Sequence, residues 1–102
     1  MTMPLYCDLS ALTEDQRARQ AQILEQMLHA RAEIREYDDG YGWRHPVHFL
    51  RDVAEYIHAE RLCCPFFDFA LRIEPLSDWL WLDLRGGDNV KGFLKEGGFG
   101  TG

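Results

Sequence analysis

Two adjacent cysteines, Cys63 and Cys64, stand directly before Pro65 and offer the most distinctive chemistry in the chain. Glu60 precedes Cys64 by four residues, so a helix through this segment places a carboxylate one turn from a thiol. Thiolates are the ligands that Cu(I) and Zn(II) prefer, and by extension Hg(II) and trivalent arsenic. With the third cysteine, Cys7, the sequence predicts metal ligands at Cys7, Cys63, Cys64 and Glu60.

The number of sulfur atoms bears on which ion such a site would take. Adjacent cysteines form a strained disulfide ring, so joint ligation is the more natural use of the pair. If Cys7 approaches them, three sulfurs suit a trigonal thiophilic ion, whereas zinc needs a fourth ligand. His58, Glu60 or water is the candidate for that fourth ligand. Arg44 and Arg61 are the candidate counter-charges around the site.

The same thiols could instead carry redox chemistry. The end of a helix has a negative partial charge and Glu60 adds to it, so we predict raised thiol pKa values. A raised pKa disfavours a nucleophilic thiolate, whereas a bound cation deprotonates the thiols on coordination. We therefore expect a binding protein rather than an enzyme. A thiol redox enzyme or sensor remains the alternative.

The segments before residue 46 predict a strand, a helix and a hairpin. Alternating apolar residues over 5–9 predict a strand with Cys7 facing the core. Thr13, with a glutamine three residues later, predicts the start of a helix that runs to about Ala32. An Asp-Gly pair at Asp39 and Gly40 predicts a tight hairpin between strands over 34–37 and 41–44.

The second half of the chain predicts a helix, another hairpin and a last short helix. Pro46 is predicted to close the second strand and also suits the first turn of the helix, and Pro65 disfavours helical geometry at Cys64. The stripe that begins at Leu50 and Val53 is predicted to bury Cys64. Alternation over 67–73 and 80–84 predicts the second hairpin, and Asp88 caps a helix through residue 94.

This order of elements predicts an α+β fold with a ferredoxin-like βαββαβ core, extended by one strand and a short C-terminal helix. The chain has 102 residues, which is a common size for one domain. We expect a single domain over residues 1–96 and a flexible glycine-rich tail over residues 97–102.

Charge and cysteine count limit the partners and the compartment. A net charge of −6 leaves no basic stripe for phosphates, so we expect neither nucleic acid nor membrane as a partner. No apolar run has the length of a membrane span, and the first residues do not form an export signal. We expect a soluble cytoplasmic protein, in which a structural disulfide is not anticipated.

The two tryptophans of the last strand are predicted to lie on one face of the sheet. Trp79 and Trp81 alternate with the apolar residues of the last strand, so they face the other side of the sheet. Either the last helix covers them, or they form a homodimer contact or an interaction surface for another protein.

The four histidines share no metal-ligand spacing, and each is predicted to lie at the surface or at a cap; they are His29, His45, His48 and His58.

Three segments resemble a family of small bacterial proteins of unknown function, over nearly the whole chain. They are Cys7-Asp-Leu-Ser-Ala-Leu-Thr, Asp39-Gly40-Tyr41 followed by Trp43-Arg44-His45-Pro46, and Glu60-Arg-Leu-Cys-Cys-Pro-Phe66. The last signature also resembles segments associated with heavy-metal-responsive regulators and resistance genes. The resemblance maps Cys7, Glu60, Cys63 and Cys64 onto corresponding positions. It implies the handling of a soft metal or metalloid ion rather than an established reaction.

Overall fold

The computed structural model describes residues 7–96, which contain four strands and three α-helices. The helices are α1 (Glu14–Ala30), α2 (Leu50–Cys63) and α3 (Val90–Glu96). The strands are β1 (Glu33–Tyr37), β2 (Gly40–Pro46), β3 (Asp68–Ile73) and β4 (Trp79–Arg85). The predicted α+β class is confirmed. The tail predicted over residues 97–102 lies outside the described residues.

The four strands form one antiparallel sheet in the order β1-β2-β4-β3. Both predicted hairpins are confirmed, β1 with β2 and β3 with β4. Only glycine fits at position 40, because a Cβ there would collide with the Leu84 carbonyl on β4. The described residues hold four of the five predicted strands, and with the flanking helices they are consistent with a ferredoxin-like core followed by a C-terminal helix.

Helix α1 begins where its capping residues predict. The Thr13 hydroxyl accepts a hydrogen bond from the Gln16 backbone N–H at 3.1 Å. In return, the Gln16 side chain accepts one from the Thr13 N–H at 2.8 Å. This capping box satisfies two amides that have no partner inside the helix. The helix ends at Ala30, two residues before the predicted end, because Arg31 is already extended toward β1.

One face of the sheet packs against α1 and α2 and forms the main core. Directly paired residues of neighbouring strands point to the same face. Leu80, Leu82 and Leu84 of β4 therefore share this face with the residues opposite them on β2. They belong to one buried cluster that also includes Ile23, Met27, Val53, Tyr56, Val90 and Leu94.

The other face of the sheet carries the two tryptophans, as predicted, but the last helix does not cover them. Val90 and Leu94 bury α3 in the main core instead. The tryptophan rings are stacked by arginines, Arg35 lying 4.0 Å above Trp81 and Arg44 lying 4.4 Å above Trp79. Trp81 is only 9% exposed, while Trp79 is 37% exposed. The homodimer contact remains a prediction.

His45 is buried, so its predicted place at the surface is wrong. Its position opposite Leu80 puts the imidazole on the inner face of the sheet. Nε2 lies 2.9 Å from the Met27 carbonyl oxygen, which can only accept, so Nε2 carries the proton. Nδ1 finds no hydrogen-bond partner within residues 7–96. Burial lowers the pKa of His45, and the charge of Arg31 lowers it further.

We predict that His45 makes the fold sensitive to mild acid. The unfolded chain protonates this imidazole near a pH of about 6.5, whereas the folded chain keeps it neutral. The stability that the neutral His45 contributes is therefore fully present above that pH and is lost as the pH falls below it. Denaturant unfolding should therefore give a lower free energy of unfolding at pH 5 than at pH 7.

His45→Gln keeps a donor for the Met27 carbonyl and should flatten this pH dependence. His48→Gln changes an exposed imidazole nearby and serves as the matched control. Parallel pH profiles for wild type and His45→Gln would show that His45 plays no such part.

None of the helices within residues 7–96 combines the length and the apolar composition that a membrane crossing requires.

Candidate functional site

The segment that carries Cys7 is docked on the end of α2. The Asp8 N–H donates to the Cys63 carbonyl oxygen at 2.7 Å. The Asp8 carboxylate then accepts from the Ser10 N–H at 3.0 Å and begins a short 3-10 turn, Leu9–Ala11. The strand predicted over residues 5–9 is therefore wrong from Cys7 onward, because an aspartate that captures a nearby amide favours a turn. Residues 5 and 6 lie outside the described part of the chain.

Helix α2 ends at Cys63, close to the predicted end at Cys64. The Cys64 N–H still bonds to the Glu60 carbonyl at 2.7 Å, but its own backbone is no longer helical. The buried stripe of α2 consists of Val53, Tyr56, Ala59 and Cys63. The predicted burial of Cys64 is confirmed, although Cys64 lies just after the last helical residue, where Pro65 disfavours helical geometry. Both thiol positions are buried.

The three sulfur atoms meet at this helix end. Cys7 and Cys64 form a disulfide, and their Cα atoms are 4.5 Å apart. Cys63 carries a free thiol whose Sγ lies 3.6 Å from the Cys64 Sγ. The expectation of no structural disulfide is wrong in this structure. The bond between Asp8 and the Cys63 carbonyl brings the two backbones within the range that a disulfide spans.

Glu60 stands beside the sulfurs and is held by an amide rather than by an arginine. Its Oε2 accepts from Gln20 Nε2 at 2.8 Å, and the same nitrogen lies 3.2 Å from the Tyr56 carbonyl oxygen. A carboxylate oxygen of Glu60 and the sulfurs of Cys7 and Cys64 lie within 4.8 Å of one another. This group of ligand atoms is compact enough to surround one ion.

Burial governs the protonation of the site. Burial raises the pKa of Glu60, although the hydrogen bond from Gln20 and the Tyr56 phenol oppose the rise. Burial also raises the pKa of the Cys63 thiol, and the neighbouring Glu60 carboxylate raises it further. The predicted direction is thus confirmed for Cys63. A protonated, buried thiol is a poor nucleophile, yet it can still give up its proton to bind an ion.

A cleft of about 520 Å³ opens over the sulfurs and Glu60, between α1, α2 and the segment that follows Cys7. All three cysteines line it. Arg17 also lines it and donates to the carbonyl oxygens of Leu9 and Leu12, both at 3.2 Å. The apolar side chains around it are Leu9, Leu12, Ala21, Leu24, Phe67 and Phe93.

The residues predicted to surround the ligands do not line this cleft. Arg44 stacks on Trp79 across the sheet. His58 is exposed and lines a separate cleft beside Arg19 and Glu55, because two residues along a helix turn a side chain to the opposite side from Glu60. Arg61 is exposed. Zinc would therefore need Glu60 or water, not His58, as a fourth ligand.

Three residues of the site were not predicted, and two of them left a signal in the sequence. Gln20 interrupts the apolar stripe of α1, standing three residues before Ile23 and seven before Met27. Tyr56 stands four residues before Glu60, which is the spacing of side-chain neighbours on a helix. Arg17 left no comparable signal, because it acts through backbone carbonyls that only the folded chain brings to it.

The chain was compared with protein families, curated proteins and solved structures. No protein-family model, curated protein or solved structure matches the chain. The resemblance of the Glu60 to Phe66 signature to regulator and resistance segments therefore stays a prediction.

Proposed function

We propose that the reduced protein captures one thiophilic metal or metalloid ion through Cys7, Cys63 and Cys64. The observation that carries this proposal is the separation of 3.6 Å between the Sγ atoms of Cys63 and Cys64, beside the Cys7 sulfur that is bonded to Cys64. Two sulfurs that bind one ion at about 2.3 Å in tetrahedral geometry lie roughly 3.8 Å apart. The pair is thus already near the separation that shared ligation needs.

Charge balance favours trivalent arsenic over the other candidates. Three thiolates cancel the charge of As(III), whereas Hg(II) or Cu(I) would leave a net negative charge in a buried site. Uncompensated buried charge is costly. Zn(II) would also need an oxygen ligand, which Glu60 could supply. We therefore rank arsenite first, followed by Hg(II), Cu(I) and Zn(II).

The raised thiol pKa does not oppose arsenite binding. Arsenous acid carries three hydroxyl groups, and each As–S bond forms as one As–O bond breaks. The thiol proton and the hydroxyl group leave together as water, so no free thiolate is required and no electron is transferred. A buried, protonated thiol such as Cys63 is suited to this exchange.

The disulfide sets the condition under which capture occurs. Cys7 and Cys64 bind an ion only after two electrons have reduced their disulfide to thiols. A compartment with an abundant thiol reductant supplies those electrons, and the cytoplasm is such a compartment. The proposed location is therefore the cytoplasm, where the reduced form would prevail.

Substitution of each cysteine tests the proposal. The protein is reduced with a phosphine and titrated with arsenite, Hg(II), Cu(I) or Zn(II), while absorbance of the sulfur–metal bonds is recorded. We expect one arsenite per chain. Each of Cys7→Ser, Cys63→Ser and Cys64→Ser should weaken arsenite binding at least about tenfold. Leu62→Ser, which changes an exposed neighbour of the pair, should leave it unchanged. Equal affinity in all four variants would exclude the cysteines as the site.

A thiol–disulfide exchange protein is the second candidate, favoured by the free Cys63 thiol beside a disulfide. Attack of Cys63 on the Cys64 sulfur would form a bond between adjacent cysteines and release Cys7. Such a ring is strained, and the raised pKa of Cys63 slows the attack. The rate of alkylation by iodoacetamide, measured against pH, separates the two candidates. Thiol–disulfide exchange needs a thiol whose pKa is lowered, whereas the binding protein that we propose does not.

A further inference from the structure

The cleft over the sulfurs is much larger than an ion. A single arsenic atom bound to three sulfurs needs no space beyond its ligands, whereas the cleft holds about 520 Å³. That volume lies within the range of small-molecule sites, which are mostly apolar with a few polar groups. Its walls follow that description, since six apolar side chains surround the cysteines, Gln20 and Glu60.

An unpartnered polar atom lies among these walls. Gln20 is only 8% exposed, and its Oε1 accepts no hydrogen bond within the described residues, while its Nε2 is engaged with Glu60. A buried acceptor without a donor is costly unless a bound molecule or water completes it. A water molecule retained in the cleft beside the bound ligand would supply that donor.

From these observations, and resting on the proposed function, we infer that the preferred ligand is a trivalent arsenic compound with one apolar organic substituent. The arsenic atom binds two of the cysteine sulfurs, and the substituent fills the apolar cleft. Two As–O bonds of the hydrated arsenical break, two As–S bonds form, and two thiol protons leave with the hydroxyl groups as two waters. No oxidant or reductant takes part once the thiols are reduced.

The size of the substituent should decide the affinity. A phenyl group buries more apolar surface in the cleft than a methyl group does, and burial of apolar surface is favourable in proportion to its area. Dithiothreitol provides the reference, because it binds both arsenicals through two sulfurs without any cleft. Relative to dithiothreitol, the reduced protein should prefer the phenyl over the methyl compound by roughly tenfold or more.

Substitutions on α1 test whether the cleft causes this preference. Ala21 lines the cleft on the exposed side of the helix, so Ala21→Trp narrows the cleft without removing a core side chain. Ala18→Trp places the same ring on an exposed position of α1 outside the cleft. We expect Ala21→Trp to abolish the preference for phenyl, Ala21→Leu to reduce it, and Ala18→Trp to retain it.

The measurement is a competition titration of phenylarsine oxide and methylarsonous acid, each against dithiothreitol. Circular dichroism of every variant verifies that it is folded. A phenyl-to-methyl ratio equal to that of dithiothreitol, or equal losses in Ala21→Trp and Ala18→Trp, would overturn the inference. Inorganic arsenite capture by the three cysteines would survive either result. Loss of cysteine-dependent arsenite binding, by contrast, would remove the proposed function itself.

Discussion

Oxidised protein is expected to bind arsenite roughly 1,000-fold more weakly than reduced protein, a difference of about 4 kcal/mol in binding free energy. The Cys7–Cys64 disulfide withdraws two of the three sulfurs and leaves the single thiol of Cys63. One As–S bond cannot benefit from chelation, whereas several thiols held on one protein can bind the same arsenic atom together. The redox state of one disulfide should therefore switch the site.

This switch is measured by equilibrium dialysis of radioactive arsenite against air-oxidised protein, with and without a phosphine reductant. Addition of the reductant should restore full binding. The variant Cys7→Ser cannot form the disulfide and keeps two thiols. Its arsenite affinity should be weaker than that of reduced wild-type protein. It should be the same before and after mild oxidation, provided that Cys63 and Cys64 stay unlinked. Equal arsenite binding by oxidised and reduced wild-type protein would contradict a role for Cys7 and Cys64.

Reduction of the disulfide should destabilise the fold by roughly 4 kcal/mol. The two cysteines are 57 residues apart in sequence, so their bond closes a long loop and restricts the unfolded chain. For a domain of this size, such a loss lowers the midpoint of thermal unfolding by roughly 15 °C or more. This is a large fraction of the stability of an ordinary domain.

Arsenite should then restore much of the stability that reduction removes. An ion shared by Cys7 and Cys64 closes the same loop, and it binds the folded chain in preference to the unfolded one. At a free concentration 1,000 times the dissociation constant, binding adds about 4 kcal/mol. Differential scanning calorimetry of the oxidised, reduced and reduced arsenite-loaded forms measures all three states.

Two variants separate the disulfide from the ion in this experiment. Cys64→Ser has no disulfide to reduce, so its unfolding midpoint should not respond to the reductant. Cys63→Ser retains the disulfide and should show the full loss on reduction but a smaller recovery with arsenite. If wild-type protein unfolds at the same temperature in both redox states, the disulfide has no such stabilising role.

Features that depend on neighbouring residues could be predicted from the sequence. Thr13 and Gln16 begin a helix because their reciprocal hydrogen bonds span three residues. The hairpin turn lies at Asp38 and Asp39, directly before Gly40 of β2, and Pro65 limits the helix before it. These signals place Cys63, Cys64 and Glu60 at one helix end without any knowledge of the tertiary fold.

The features that failed depend on contacts between distant segments. The disulfide follows from the bond between Asp8 and the Cys63 carbonyl, which joins residues more than fifty positions apart. Alternation around Cys7 resembled a strand, but the Asp8 side chain favoured a turn. The surface position predicted for His45 is wrong because its burial depends on pairing with Leu80 on β4, a contact between distant segments. In the same way, side chains of α1 and α3 line the cleft together with the cysteines, so no local motif in the sequence indicates the cleft.

The most direct test of the account is the coordination of arsenic in reduced protein loaded with one equivalent of arsenite. X-ray absorption at the arsenic edge counts the neighbouring atoms and distinguishes sulfur from oxygen. We predict three sulfur neighbours in wild-type protein and two in Cys7→Ser. Fewer than three sulfur neighbours in wild-type protein, with oxygen completing the shell, would contradict the claim that Cys7, Cys63 and Cys64 share one ion.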